Sequence, residues 1–277
     1  MEQPENETAP RTTRRHMMLD DPARTLIVVL LAFLFACNAL TLLAYQVLGQ
    51  VGYVAPVVTV AVSATMIAWY QHRFRRSFDG LFGWSTAGMV LILPAASFMA
   101  LNLVEIADAG PAGPALPCLG MALAAGISEE IVFRGILGSN LMRIRGQGKD
   151  ILPNLLVTSI VFGAVHGGNI LAGAPVSTTL FQMYHAFCMG MLFEAVLLRC
   201  GSLWPPIIMH TLIDFTGFLC TGIADGGIIS EVIVLDAVTI ATTIVSSAIL
   251  VFALFLAQPS QRAGIVSLWD RKWHREG

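Results

Sequence analysis

Charge is what this sequence has least of. Asp, Glu, Lys and Arg make up 12% of its 277 residues, against about 25% in an ordinary soluble domain. A chain this poor in charge and 56% hydrophobic, with a mean hydropathy of +0.72, reads as a polytopic membrane protein. Other absences narrow the function. No block of Lys and Arg is suited to a phosphate backbone, so no nucleic-acid partner is expected. The five cysteines, Cys37, Cys118, Cys188, Cys200 and Cys220, form no CxxC pair and mostly fall in apolar segments, which argues against a disulfide framework or a metal–thiolate centre. HExxH and GxSxG are both missing, so neither the zincin nor the nucleophile-elbow pattern applies. The lack of an internal repeat counts against a transporter built from two related halves.

What is present is a series of apolar runs. Residues 1–24 are polar and hold Pro4, Pro10 and Pro22; they read as a mobile cytoplasmic tail. Apolar spans follow at 25–45, 51–71, 86–104, 117–142, 152–171, 178–198, 203–222 and 232–257, each near the roughly 20 residues a helix needs to cross hydrocarbon. The fold class is therefore an all-α transmembrane bundle of about eight spans over residues 25–257, followed by a tail at 258–277. The first run could serve as a cleaved signal, but it continues past Cys37 through LTLLAY, longer than such a segment needs. VSLWDRKWHREG at the C-terminus reads as an interfacial anchor, with two tryptophans among basic residues.

The basic residues orient the bundle. Arg11, Arg14, Arg15 and Arg24 precede the first span, and Arg73, Arg75 and Arg76 follow the second. Arg143, Arg145 and Lys149 follow the fourth, Arg199 the sixth, and Arg262, Arg271, Lys272 and Arg275 the eighth. Only Arg134 is left over. The opposite loops carry Glu105, Asp108, Asp225 and Glu231 and no basic residue. This asymmetry places both termini in the cytoplasm, in what is expected to be the plasma membrane.

Against that background GISEEIVFRGIL, residues 126–137, is anomalous. An ionised side chain at a helix centre costs on the order of 2.5–3.5 kcal/mol on insertion scales. Glu130 and Arg134 are four apart and pair on one helix face. Glu129 points about 100° away and has no partner in its own helix; it requires a group from another span, or water. Candidates exist in Phe162 and His166, in the fifth span, and in His210 and Asp214, in the seventh, each pair at i and i+4. A lone membrane histidine often does no more than hydrogen-bond a neighbouring helix. A free Glu, two His and an Asp together point instead to a functional site. His185 and Glu194 are weaker candidates: His185 reads as packing, and Glu194, five residues before Arg199, as able to reach the headgroups.

The pattern EExxxR (Glu129, Glu130, Arg134), FxxxH (Phe162, His166) and Hxxx with a small polar residue (His210, Asp214), together with GMLFEAVLLRCGSLWPPIIMHTLID, resembles the CPBP family of intramembrane proteases, the CAAX-prenyl-protease and bacteriocin-processing (Abi) proteins, over about 118–220. The resemblance implies an intramembrane endopeptidase acting on a membrane-associated peptide or protein. It implies that Glu129 activates water, that His166 assists, and that His210 and its partner Asp214 stabilise the oxyanion, with Glu130, Arg134 and Phe162 in support. Many members carry Asn where this chain has Asp214. No cofactor is favoured; the alternative is zinc, with His166, His210, Asp214 and Glu129 as ligands. The rival functions are a non-catalytic scaffold or immunity protein of the same fold and a proton-coupled transporter. Counted along the spans, His210 falls near the cytoplasmic side and His166 beyond the midplane, whereas a single site needs both at one level.

Overall fold

The computed structural model describes residues 54–74, 78–145, 151–170, 173–222 and 232–274, with isolated positions between 28 and 47. The tail 1–24 and most of the first apolar run lie outside the described residues. Helix α1 spans Val54–Phe74. Helix α2, Thr86–Ile92, is capped by Ser85, whose hydroxyl accepts from the Gly88 N–H at 3.1 Å. Pro94 lacks an N–H and tightens the chain into a 3-10 turn at Leu93–Ala95, after which α3 runs over Ala96–Ala109.

Helix α4, Ala115–Glu129, continues without a break through a π-helical stretch, Glu130–Gly138, into α5, Ser139–Arg145. Helix α6, Ile151–Val165, ends in a 3-10 turn at His166–Ile170. Helix α7, Val176–Cys200, stops at Gly201, whose φ of 62° suits glycine. Helix α8, Trp204–Thr221, starts with prolines in its first turn, where no backbone donor is lost. Helix α9, Ala237–Leu256, is capped by Asp236, which accepts from the Thr239 N–H at 2.8 Å; that bond holds the Asp236 carboxyl below its usual range. Helix α10 spans Pro259–His274.

No strand occurs among the described residues. Helix α7 is the centre, packed on α6, α9, α2 and α10, while α8 packs on α4 and α3, and α1 on α4. Among the described residues, five segments are long and apolar enough to cross a membrane: Thr86–Ala109, Ala115–Met142, Ile151–Ile170, Val176–Cys200 and Ala237–Leu256. Helix α8 is not among them, because two prolines, His210 and Asp214 dilute its apolar content.

The C-terminal segment departs from the expected anchor. Trp269 is buried and donates its indole N–H to the Leu198 carbonyl at 3.0 Å. Arg199 bonds Gln261, and Lys272 bonds the Gly80 carbonyl. Helix α10 therefore closes over the end of α7, and this tryptophan belongs to the protein interior. With it, Gly201, Ser202 and Leu203 are buried, and the Leu203 N–H donates to the Leu81 carbonyl at 2.8 Å.

Candidate functional site

The first piece of the site is a buried ion pair. Glu130 and Arg134 lie in the π-helical stretch, where the Ser139 N–H reaches back five residues to the Arg134 carbonyl. Arg134 Nη1 donates to Glu130 Oε1 at 3.0 Å, and both side chains are sealed from solvent. This is the pairing that the four-residue spacing predicts. The guanidinium is covered by aromatic faces: its carbon lies 4.2 Å from the Phe162 ring centre and 5.4 Å from that of Phe193.

Helix α8 is brought against α4 by a close approach at Gly126. A methyl group there would lie 2.9 Å from the Thr211 nitrogen and 3.1 Å from its Cα. The contact places His210, the neighbour of Thr211, beside both glutamates. His210 Nδ1 is 2.8 Å from Glu130 Oε1. On the other edge of the ring, Nε2 is 3.3 Å from Asp214 Oδ2 and 3.9 Å from Glu129 Oε2. Glu129 thus finds the partner on another helix that its position requires. The side chains of Glu129 and Asp214 are 21% and 26% exposed, against 0% for Glu130, so one edge of the imidazole is open and the other is closed.

His166 joins through Phe162. Its ring centre is 5.3 Å from that of Phe162, and the His210 ring is 5.9 Å from the same phenyl. The two histidines, set at different levels by counting along the sequence, thus meet at one phenyl ring. Helix α8 begins at a buried connection, where the Leu203 N–H donates to the Leu81 carbonyl. His166 Nδ1 is 2.8 Å from the Phe162 carbonyl. A carbonyl only accepts, so Nδ1 carries the hydrogen and Nε2 of the neutral ring keeps a lone pair.

All seven residues singled out in the sequence, Glu129, Glu130, Arg134, Phe162, His166, His210 and Asp214, therefore lie around two histidine rings and one phenyl. Sequence reasoning missed Phe193, whose ring is 5.5 Å from that of His210. It misplaced Glu194, which is fully buried, its carboxyl lying against Gly138 instead of reaching headgroups. His185 is a packing residue as expected, edge-on to Phe98 at 4.4 Å and bonded to Ser246 at 3.1 Å.

Of the residues named for the zinc alternative, His210 places both ring nitrogens beside carboxylates, and His166 bonds Nδ1 to a carbonyl and leaves Nε2 available. Among the described residues no three His, Cys, Asp or Glu side chains gather in a metal-holding group.

A helical bundle with membrane-crossing segments and a buried acid–base cluster is the class of protein that fold and site define. Residues 111–216 match the family model described as type II CAAX prenyl endopeptidase Rce1-like, which agrees with the resemblance to the CPBP/CAAX proteases carried by the motifs. The matched segment holds all seven site residues and is less than half of the chain. No curated protein and no solved structure matches.

Proposed function

We propose that the protein is an intramembrane endopeptidase that hydrolyses a peptide bond of a membrane-associated peptide or protein. The observation that carries this reading is the two-sided environment of His210: Nδ1 fixed by a sealed Glu130–Arg134 pair, and Nε2 presented beside the partly open Glu129. Glu129 removes a proton from water as the oxygen attacks the scissile carbonyl carbon. His166 Nε2 accepts from the same water and aligns it. His210 Nε2–H donates to the oxyanion as the tetrahedral intermediate forms. The C–N bond then breaks, and the proton held by Glu129 passes to the leaving amine. No step requires a metal.

The proposal includes eight spans with both termini in the cytoplasm, of the plasma membrane in the simplest case, a catalytic core at about 118–220, and cytoplasmic segments at 1–24 and 258–277. Single cysteines at Asp108 and Arg145 test the orientation. The first should label from outside intact cells and the second only after permeabilisation.

The family's description as a prenyl endopeptidase selects the first probe. Purified protein in lipid nanodiscs is given a quenched fluorescent peptide farnesylated on a cysteine near its C-terminus, alongside the same peptide without the lipid. Cleavage of the lipidated peptide that disappears in Glu129→Gln supports the reading. A Glu129→Gln protein that cleaves as well as wild type overturns it in favour of a scaffold role.

A further inference from the structure

Helix α7 carries a carboxylate that the proposed reaction does not use. Glu194 is fully buried, and neither of its oxygens has a hydrogen-bond partner among the described residues. An ionised or neutral carboxyl left this way in a membrane protein's interior is costly. Its place is made by Gly138: a methyl group there would lie 2.6 Å from each Glu194 oxygen. Gly138 is four residues beyond Arg134 on the same helical stretch, and Arg134 and Glu194 are close enough for their charges to interact.

Arg134 has the complementary deficit. A guanidinium offers five N–H donors, yet Glu130 engages only Nη1, and Nε and Nη2 have no acceptor among the described residues. Glu130 is shared through one oxygen, since Oε1 also takes His210 Nδ1 while Oε2 has no partner among the described residues. One carboxylate therefore serves two donors, while a second, a helix away, serves none. Phe162 and Phe193 cover the guanidinium faces, so its free N–H groups are confined to its edge.

We propose that Glu194 is the second carboxylate of Arg134, closing from α7 a buried Glu130–Arg134–Glu194 cluster that positions the Glu130–His210 arm. No direct hydrogen bond joins the two groups, and Glu194 takes the Nε and Nη2 donors through a bridging water, so that Glu130 Oε1 stays with Nη1 and His210. It is a positioning residue that touches no substrate. Its catalytic part rests on the peptidase reading; the pairing itself does not.

The test is a thermal cycle on the full chain in nanodiscs, with wild type, Arg134→Gln, Glu194→Gln and the double variant. Pairing predicts that the double variant melts well above the sum of the two single losses; additive losses overturn it. Gly138→Ala and Glu194→Gly provide a second reading if Arg134→Gln fails to fold. Gly138→Ala alone should melt early and should recover when combined with Glu194→Gly; no recovery overturns the placement of the carboxylate. On the farnesylated peptide, Glu194→Gln should lower kcat roughly ten-fold with KM unchanged, near the lower end of what loss of an orienting partner behind a site residue costs. An unchanged kcat overturns the positioning role. The thermal cycle needs no substrate, so a protein that cleaves nothing still decides the pairing.

Discussion

Glu129 and Glu130 are adjacent in sequence, reach the same histidine, and live in different media. Glu130 is sealed, bonded to Arg134 and to His210 Nδ1. Glu129 stands 3.9 Å from His210 Nε2 beside Asp214, with a fifth of its side chain exposed. A carboxylate held by two charge-assisted bonds keeps a fixed geometry. A carboxylate with one distant partner and an open side has room for a water molecule. In the proposed reaction one edge of the imidazole serves structure and the other chemistry, and the sharpest tests are those that treat the two edges alike.

The largest contrast is expected from Glu129→Gln. Removing a general base should lower cleavage of the farnesylated peptide by roughly 10²–10⁴-fold, with the melting temperature in nanodiscs unchanged because no bond to Glu129 sets the packing. The same change at Glu130 should destabilise the protein. If both variants fold equally well, the two edges are not different in kind.

Arg134→Ala comes next. It strands Glu130 and removes the cation between the two phenylalanine faces, at a cost of about 3–5 kcal/mol, read as an early thermal transition. An Arg134→Ala protein with wild-type stability would show that the buried edge does not hold the bundle.

A smaller effect is expected at the seam between the edges. Gly126→Ala places a methyl group within 3.1 Å of the Thr211 backbone, and either α8 or α4 has to move. Overpacking of this kind costs about 1–3 kcal/mol, and the shift separates His210 from both glutamates. Cleavage should fall with stability, and the companion change Thr211→Ala, which leaves that backbone in place, should not restore it.

The closed edge was the more legible in sequence. Four-residue spacing is enough to pair Glu130 with Arg134, and the depth of the span is enough to demand burial. That Glu129 needs a partner from another helix was also legible, but which helix was not, because the approach of α8 depends on Gly126 meeting a backbone 85 positions away in the chain. Three features had no local signal. Nothing in EIVFRGILG marks a π-helix. Counting residues from loops set His166 and His210 at different levels, whereas both rings meet the same phenyl. Glu194, expected near the headgroups, is buried against Gly138 on a segment distant in sequence. Covering by a distant segment is a tertiary fact that hydropathy along one helix does not carry.

The smallest expected change, and the one that separates two mechanisms, is Asp214→Asn. Asp214 Oδ2 is 3.3 Å from His210 Nε2, the nitrogen assigned to the oxyanion. In the metal-free mechanism an ionised Asp214 opposes the negative charge that develops there, whereas an Asn amide adds a donor. Asp214→Asn should then keep or modestly raise the rate, and it restores the residue common in the family that the motifs resemble. In a zinc mechanism the outcome reverses. The carboxylate would neutralise and bind the cation, Asn is a poorer zinc ligand, and metal content and activity should fall together. Measuring zinc by mass spectrometry and cleavage on the same wild-type and Asp214→Asn preparations decides between them. The expected result is a rate at or above wild type with no stoichiometric zinc in either protein. Tightly bound zinc in the wild type, lost with activity in the variant, would move Asp214 from the oxyanion's neighbour to a metal ligand and would require Glu129 to activate a metal-bound water.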